Sequence, residues 1–203
     1  MVVVAIIDYG IGNLRSIKRG LERAGATAVV TAREEDVMSS DAVVLPGVGS
    51  FKSAMQNLGD MLHSLQETIR GGRPVLGICL GLQLCFEWSE EGGGVRGLGI
   101  IEGFVDKLPN IVKIPHIGWN TIKIRSWSPI IEGIRDEAYM YFVHSYKVSP
   151  KRWENVIATT TYGCEFPSII ETKPLIFGTQ FHPEKSGKDG LTILKNFVKL
   201  AKR

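Results

Sequence analysis

Cys79 stands in the run Gly77-Ile78-Cys79-Leu80-Gly81, with a glycine two residues away on either side. An apolar stretch, Pro74–Ile78, precedes it and a helical pattern follows, so a strand must turn sharply into a helix at the cysteine. A turn of the type Gly-x-nucleophile-x-Gly holds its central residue in a strained backbone conformation. Its ±2 positions must be small because neighbouring chain passes too close for a Cβ. The side chain is then pushed into the open above the carboxyl edge of the sheet, where open α/β sheets bind ligands. The start of a helix also favours thiolate over thiol. These features predict a nucleophile, whereas Cys85 and Cys164 read as small buried hydrophobes.

A thiolate nucleophile needs a base and a group to orient that base. Of the four histidines, His63 lies in a polar helical stretch and reads as solvated. His116 and His144 sit in PHIGWN and FVHSY and carry no assigned chemistry. His182, in QFHPEKS, ends an apolar strand and is followed by Pro183 and Glu184. In extended chain, residues i and i+2 project to the same side, and the proline stiffens the backbone between them. His182 and Glu184 are thus expected side by side, the arrangement that fixes a histidine tautomer in a triad. Metal binding is not expected, because this nearest pair supplies only two ligands.

The elements that must position these residues follow from hydrophobic periodicity. Strands are expected at Val2–Asp8, Thr27–Thr31, Asp41–Leu45 and Pro74–Ile78, and helices at Asn13–Ala24, Ser53–Arg70 and Leu80–Trp88. Buried strands alternating with helices indicate a parallel, doubly wound sheet. Glu90–Gly99 reads as a loop. The second half is β-rich, with strands at Ile100–Lys107, Ile117–Arg125, Ala138–Val148, Val156–Tyr162, Ser168–Glu171 and Leu175–Phe181, and Lys188–Lys202 closes the chain as an amphipathic helix. The expectation is one α/β domain over residues 1–203: a mixed, mostly parallel sheet with helices on both faces, of the flavodoxin-like kind. A net charge of +3 with no basic block gives no support for nucleic-acid binding. No apolar run approaches a membrane span and no signal peptide is expected. Three cysteines do not read as a disulfide framework, which points to a reducing cytoplasm.

GICLGLQ together with FHPEKS resembles the class I (triad-type) glutamine amidotransferases, which hydrolyse glutamine and pass ammonia to a synthase. DYGIGN at Asp8–Asn13, LPGVGSF at Leu45–Phe51, PHIGWN at Pro115–Asn120 and YFVHSY at Tyr141–Tyr146 resemble one branch of them, the glutaminase subunits of imidazole glycerol phosphate synthases. Leu82 stands where that branch usually has methionine, a volume-conserving exchange.

The resemblance implies Cys79 as nucleophile, His182 as base and then acid, and Glu184 as the group that orients it, with no cofactor. For the oxyanion it implies the Leu80 N–H and the loop that carries Val48 and Gly49. Gln83, one helical turn beyond Cys79, is expected to face the substrate. Family correspondence places Glu91 against the glutamine ammonium, though Glu87 and Glu90 compete for that role on sequence alone. Ser145 and Tyr146 match the segment that receives the α-carboxylate. Asn13, Trp119 and Asn120 lie in segments that resemble a docking surface. The implied partner is a (β/α)8-barrel cyclase, since a barrel of roughly 250 residues does not fit within this length. Other readings are a glutaminase subunit for anthranilate or pyridoxal phosphate synthesis, a stand-alone cysteine hydrolase, or a non-catalytic binding subunit on the same fold.

Overall fold

The structure is a computed structural model and describes residues 1–10, 12–59, 61–173 and 175–202. Ile11 of the DYGIGN motif, Asp60 of the expected Ser53–Arg70 helix, Pro174 and Arg203 lie outside the described residues.

Period-two burial along apolar strands lets one sheet bury both faces. In Val3–Ile7, Val4 and Ile6 join one apolar cluster while Ala5 and Ile7 join another. Ala42–Leu45 divides the same way, with Val44 on one side and Val43 and Leu45 on the other. The first cluster is roofed by Leu14–Arg23 and Gly187–Leu200, through Ile17, Leu21, Ile193 and Phe197. The second is covered by Glu34–Ser39, Phe51–Leu58 and Met61–Arg70, through Val37, Phe51, Leu58 and Leu65. Helices therefore lie on both faces, as the buried-strand pattern predicts.

Among the described residues the main sheet has eight strands. In spatial order they are Thr27–Thr31, Val3–Ile7, Ala42–Leu45, Val75–Ile78, Ile176–Thr179, Cys164–Thr172, Val156–Tyr162 and Lys123–Ile124. The first five run parallel and the rest add antiparallel. Val75–Ile78 and Ile176–Thr179 are neighbours in parallel register, with Ile78 opposite Thr179. Their carboxyl ends therefore open at the same place. No described helix is long and apolar enough to cross a membrane.

Five expected elements differ in the structure, one of them Ile117–Arg125, which is two strands, His116–Thr121 and Lys123–Ile124, in different sheets. The expected Ser53–Arg70 helix is two helices, because Gly59 adopts φ 37° and ends the first. The helix after Cys79 covers only Leu80–Leu84, and Phe86–Ser89 is a strand, drawn into a smaller sheet by Ile101–Lys107. Tertiary pairing there overrides the helical periodicity. Val95–Arg96, inside the expected Glu90–Gly99 loop, pairs with that same strand. Ala138–Val148 is two strands, Tyr139–His144 and Tyr146–Pro150, which belong to different sheets and break at Ser145. The first pairs with His116–Thr121 and the second with Ile101–Lys107. Between sequence positions 31 and 42, Glu34–Ser39 forms a short helix that the periodicity had not marked.

Candidate active site

Cys79 takes φ 52° and ψ −103°, a left-handed conformation rare for a side-chain-bearing residue. Its N–H donates to the Thr179 carbonyl at 2.7 Å and its carbonyl accepts from the Gln83 N–H at 3.1 Å, which holds the turn from both sides. The flanking glycines follow from crowding. A Cβ on Gly77 would lie 2.6 Å from the Leu82 nitrogen, and one on Gly81 would fall on the Leu45 carbonyl. Gly47 is equally constrained, since a Cβ there would run into the Leu80 side chain. The Pro46–Gly49 loop is thereby pressed against the start of the Leu80–Leu84 helix. The buried Tyr9 hydroxyl anchors that loop by donating to the Pro46 carbonyl, and burial pushes this phenol's pKa upward.

His182 Nδ1 lies 2.9 Å from Glu184 Oε1, and both side chains are almost fully buried. The geometry differs from the expected extended segment, because Pro183–Lys185 forms a 3-10 turn. The histidine's backbone is fixed by its N–H to the Tyr141 carbonyl at 2.9 Å and by the Ser186 hydroxyl donating to its own carbonyl at 2.6 Å. Nε2 has no hydrogen-bond partner among the described residues. The thiol donates instead to the Val143 carbonyl, at 3.5 Å. Burial alone would lower the pKa of His182, but the adjacent Cys79 sulfur and the Glu184 carboxylate outweigh it and raise it to about 10. The carboxylate and the sulfur thus favour the protonated form of the imidazole.

A pocket of about 270 Å³ opens over Cys79. Val48, Gly49, Leu80, Gln83, Glu91, Ser145 and Tyr146, all singled out from sequence, line it with Cys79. His182 and Glu184 stand behind the sulfur rather than on the wall. Among the competing carboxylates, Glu87 is occupied by the Gly103 N–H and Lys151, and Glu90 by the Lys107 N–H. Glu91 is the one that reaches the pocket; burial raises its pKa, and the Phe51 N–H at 3.1 Å partly offsets this. Gln83 Nε2 donates to the Tyr146 carbonyl at 2.9 Å and to Gln180 Oε1 at 3.3 Å, which leaves its Oε1 for any ligand.

His144, unassigned from sequence, also lines the pocket. Its Nδ1 lies 2.9 Å from the Tyr146 carbonyl, so it carries the proton there, and Nε2 accepts from His116 Nδ1 at 3.0 Å. Burial lowers the pKa of His144 to about 3 and that of His116 to about 4, so the pair is neutral. Asn120 is turned toward this pair, 3.4 Å from His116 Nε2, and donates to the Thr161 carbonyl at 3.1 Å. Asn13 caps the Leu14–Arg23 helix, and Trp119 is 55% exposed beside Tyr141. Sequence reasoning missed Gln180, Val143 and Pro115. Only Gln180 left a signal, two residues before His182 and so on its side of the strand.

The sequence model described as glutamine amidotransferase class-I matches residues 5–201. The chain is 48% identical over 198 residues to the imidazole glycerol phosphate synthase subunit HisH of Methanocaldococcus jannaschii, covering 98% of this chain and 100% of that one. It is 49% identical over 203 residues to subunit HisH 1 of Methanococcus maripaludis, covering 98% and 100%. Among solved structures, a chain of PurLQS from Thermotoga maritima superposes with a TM-score of 0.77 at 16% identity, covering 98% of this chain and 98% of that one, which is a likeness of fold. With its family match spanning almost the whole sequence, the chain belongs to the class I glutamine amidotransferases.

Proposed function

We propose that residues 1–203 act as one glutamine amidotransferase domain, the glutaminase subunit of an imidazole glycerol phosphate synthase in histidine biosynthesis, working in the cytoplasm. The observation that carries the chemistry is Cys79, strained on the wall of a pocket, with a buried His182 held by Glu184 beside it. The nearly full-length identity to HisH subunits supports the particular synthase.

In this reading Cys79 Sγ attacks the side-chain amide carbon of L-glutamine, and the carbonyl π electrons move onto oxygen. The Leu80 N–H has no partner within its helix, being at the first position, and is available to that oxyanion. A donor from the Val48–Gly49 loop supplies the second contact. His182 gives its Nε2 proton to the amide nitrogen, the C–N bond breaks, and ammonia leaves a glutamyl thioester. Water then attacks the thioester carbon while His182 takes its proton, and glutamate departs with the thiolate restored. Glu91 faces the α-ammonium of the substrate, and Ser145 and Tyr146 its α-carboxylate. The chemistry uses protein groups and water alone.

Ammonia must reach an acceptor before bulk water protonates it, and a (β/α)8-barrel cyclase subunit is the proposed recipient. Exposed Ile117 and Trp119, both on the His116–Thr121 strand, offer it an apolar docking face, and Asn13 and Asn120 are the further proposed contacts. Cys79→Ala tests this division of labour. The variant should assemble with the cyclase and form product from ammonium salt, with glutamine-dependent turnover abolished. Retained glutamine-dependent turnover would contradict the nucleophile assignment.

A further inference from the structure

Gln180 is fully buried between the ends of the elbow strand and the histidine strand, and no step above uses it. A buried amide without partners is costly, so its contacts need an account. Its Nε2 lies 3.6 Å from Cys79 Sγ, and its Oε1 lies 3.3 Å from Gln83 Nε2. The orientation is fixed by a chain of acceptors. The Tyr146 carbonyl can only accept, so Gln83 must present nitrogen to it, at 2.9 Å. The second hydrogen of that nitrogen is then directed at Gln180, which must answer with oxygen. What remains for the sulfur is the Gln180 N–H. The backbone agrees, because the Gln180 N–H to the Ser168 carbonyl at 3.0 Å pins the residue in place.

We propose that Gln180 is a further catalytic residue whose amide N–H stabilises the Cys79 thiolate, with Gln83 acting through it as a positioning residue. Besides the His182 imidazole and the Tyr9 phenol, the sulfur faces the Val143 carbonyl at 3.5 Å, which accepts from a thiol and repels a thiolate, and the Gln180 N–H is placed to offset that carbonyl. A flipped Gln180 would set a second carbonyl against the sulfur and two amide nitrogens against each other. Gln83 closes off that flip, which gives it a task that does not depend on touching glutamine. This inference rests on the reading of Cys79 as the nucleophile.

The test is the rate of Cys79 alkylation by iodoacetamide against pH, read by peptide mass spectrometry so that Cys85 and Cys164 do not contribute. Gln180→Met keeps the volume and removes the donor. It should move the midpoint of the profile up by about one pH unit, an approximately tenfold loss of thiolate at neutral pH. Gln83→Met should give a smaller shift in the same direction, and none beyond that of Gln180→Met in the double variant. Additive shifts would overturn the serial arrangement. A profile unmoved in Gln180→Met, with wild-type Cys79 reactive, would overturn the role of Gln180 and leave the nucleophile standing. An inert wild-type Cys79 would sink both. Should Gln180→Met not fold, the wild-type chain answers through NMR of the Gln180 side-chain amide. Its resonances should titrate with the alkylation midpoint, and should not do so in Cys79→Ala; resonances that stay fixed in the wild-type chain overturn the proposal.

Discussion

Ile78 and Thr179 face each other across a parallel strand pair, so the residues that follow them leave the sheet at one edge. Cys79 follows the first, and Gln180, Phe181 and His182 follow the second. A hundred residues of intervening chain are brought to one sulfur by that single register. Because the side-chain period of a strand is two, a one-residue slip would turn Ile176–Thr179 over and carry the following Gln180 and His182 away from Cys79.

The Glu184 carboxylate lies 2.9 Å from His182 Nδ1 and fixes which imidazole nitrogen faces the sulfur. Glu184→Gln should leave the fold and the partner complex intact. Glutamine-dependent turnover should fall by up to roughly 10⁴-fold, as in other triads that lose the orienting carboxylate. Near-normal steady-state kinetics would show that another group orients His182.

The pH dependence follows from the raised pKa of His182. Burial lowers it, Cys79 and Glu184 raise it, and the net result is about 10. A raised value means that the folded state favours the imidazolium. Its contribution to stability is complete below the unfolded value of about 6.5 and is lost as pH rises through about 10. The same proton is the one given to departing ammonia. The kcat/KM for glutamine should therefore hold through neutral and mildly alkaline pH and fall as pH approaches about 10. A decline already beginning near pH 7 would contradict the raised pKa of His182.

How much of this was legible in the sequence depends on how local each signal is. Gly77 and Gly81 announced the elbow because both stand two residues from Cys79, although the Leu45 carbonyl that crowds Gly81 comes from a neighbouring strand. His182 and Glu184 were close enough for strand geometry to pair them, even though a 3-10 turn replaces the expected extended backbone. Glu91 could not be separated from Glu87 and Glu90 by pattern. Which carboxylate is free depends on Gly103, Lys151 and Lys107, and those contacts come from pairing with a distant strand. The break at Ser145 was hidden for a similar reason: Ala138–Val148 alternates as one strand would, and only the competing partners His116–Thr121 and Ile101–Lys107 divide it. Gln180 carries neither charge nor nucleophile, and its meaning emerges only once the sheet is assembled.

Glu91 sits on the pocket wall with its pKa raised by burial, an environment that an incoming ammonium would relieve. Glu91→Gln keeps an oxygen for the Phe51 N–H, so the adjoining helix should be undisturbed. KM for glutamine should rise about tenfold or more, the scale of a lost hydrogen bond to a charged group, with kcat near wild type. A lowered kcat at unchanged KM would show that Glu91 acts on the chemical step instead.

In the proposed reaction Cys79 becomes covalently attached to the substrate's glutamyl group. Radiolabelled glutamine should be mixed with the chain in complex with its cyclase, the reaction quenched in acid during turnover, and the peptides mapped. Label is expected on the Cys79 peptide, released by hydroxylamine as a thioester would be, and absent in Cys79→Ala. Turnover with no label on Cys79 at any quench time, or label on Cys85 or Cys164, would contradict it.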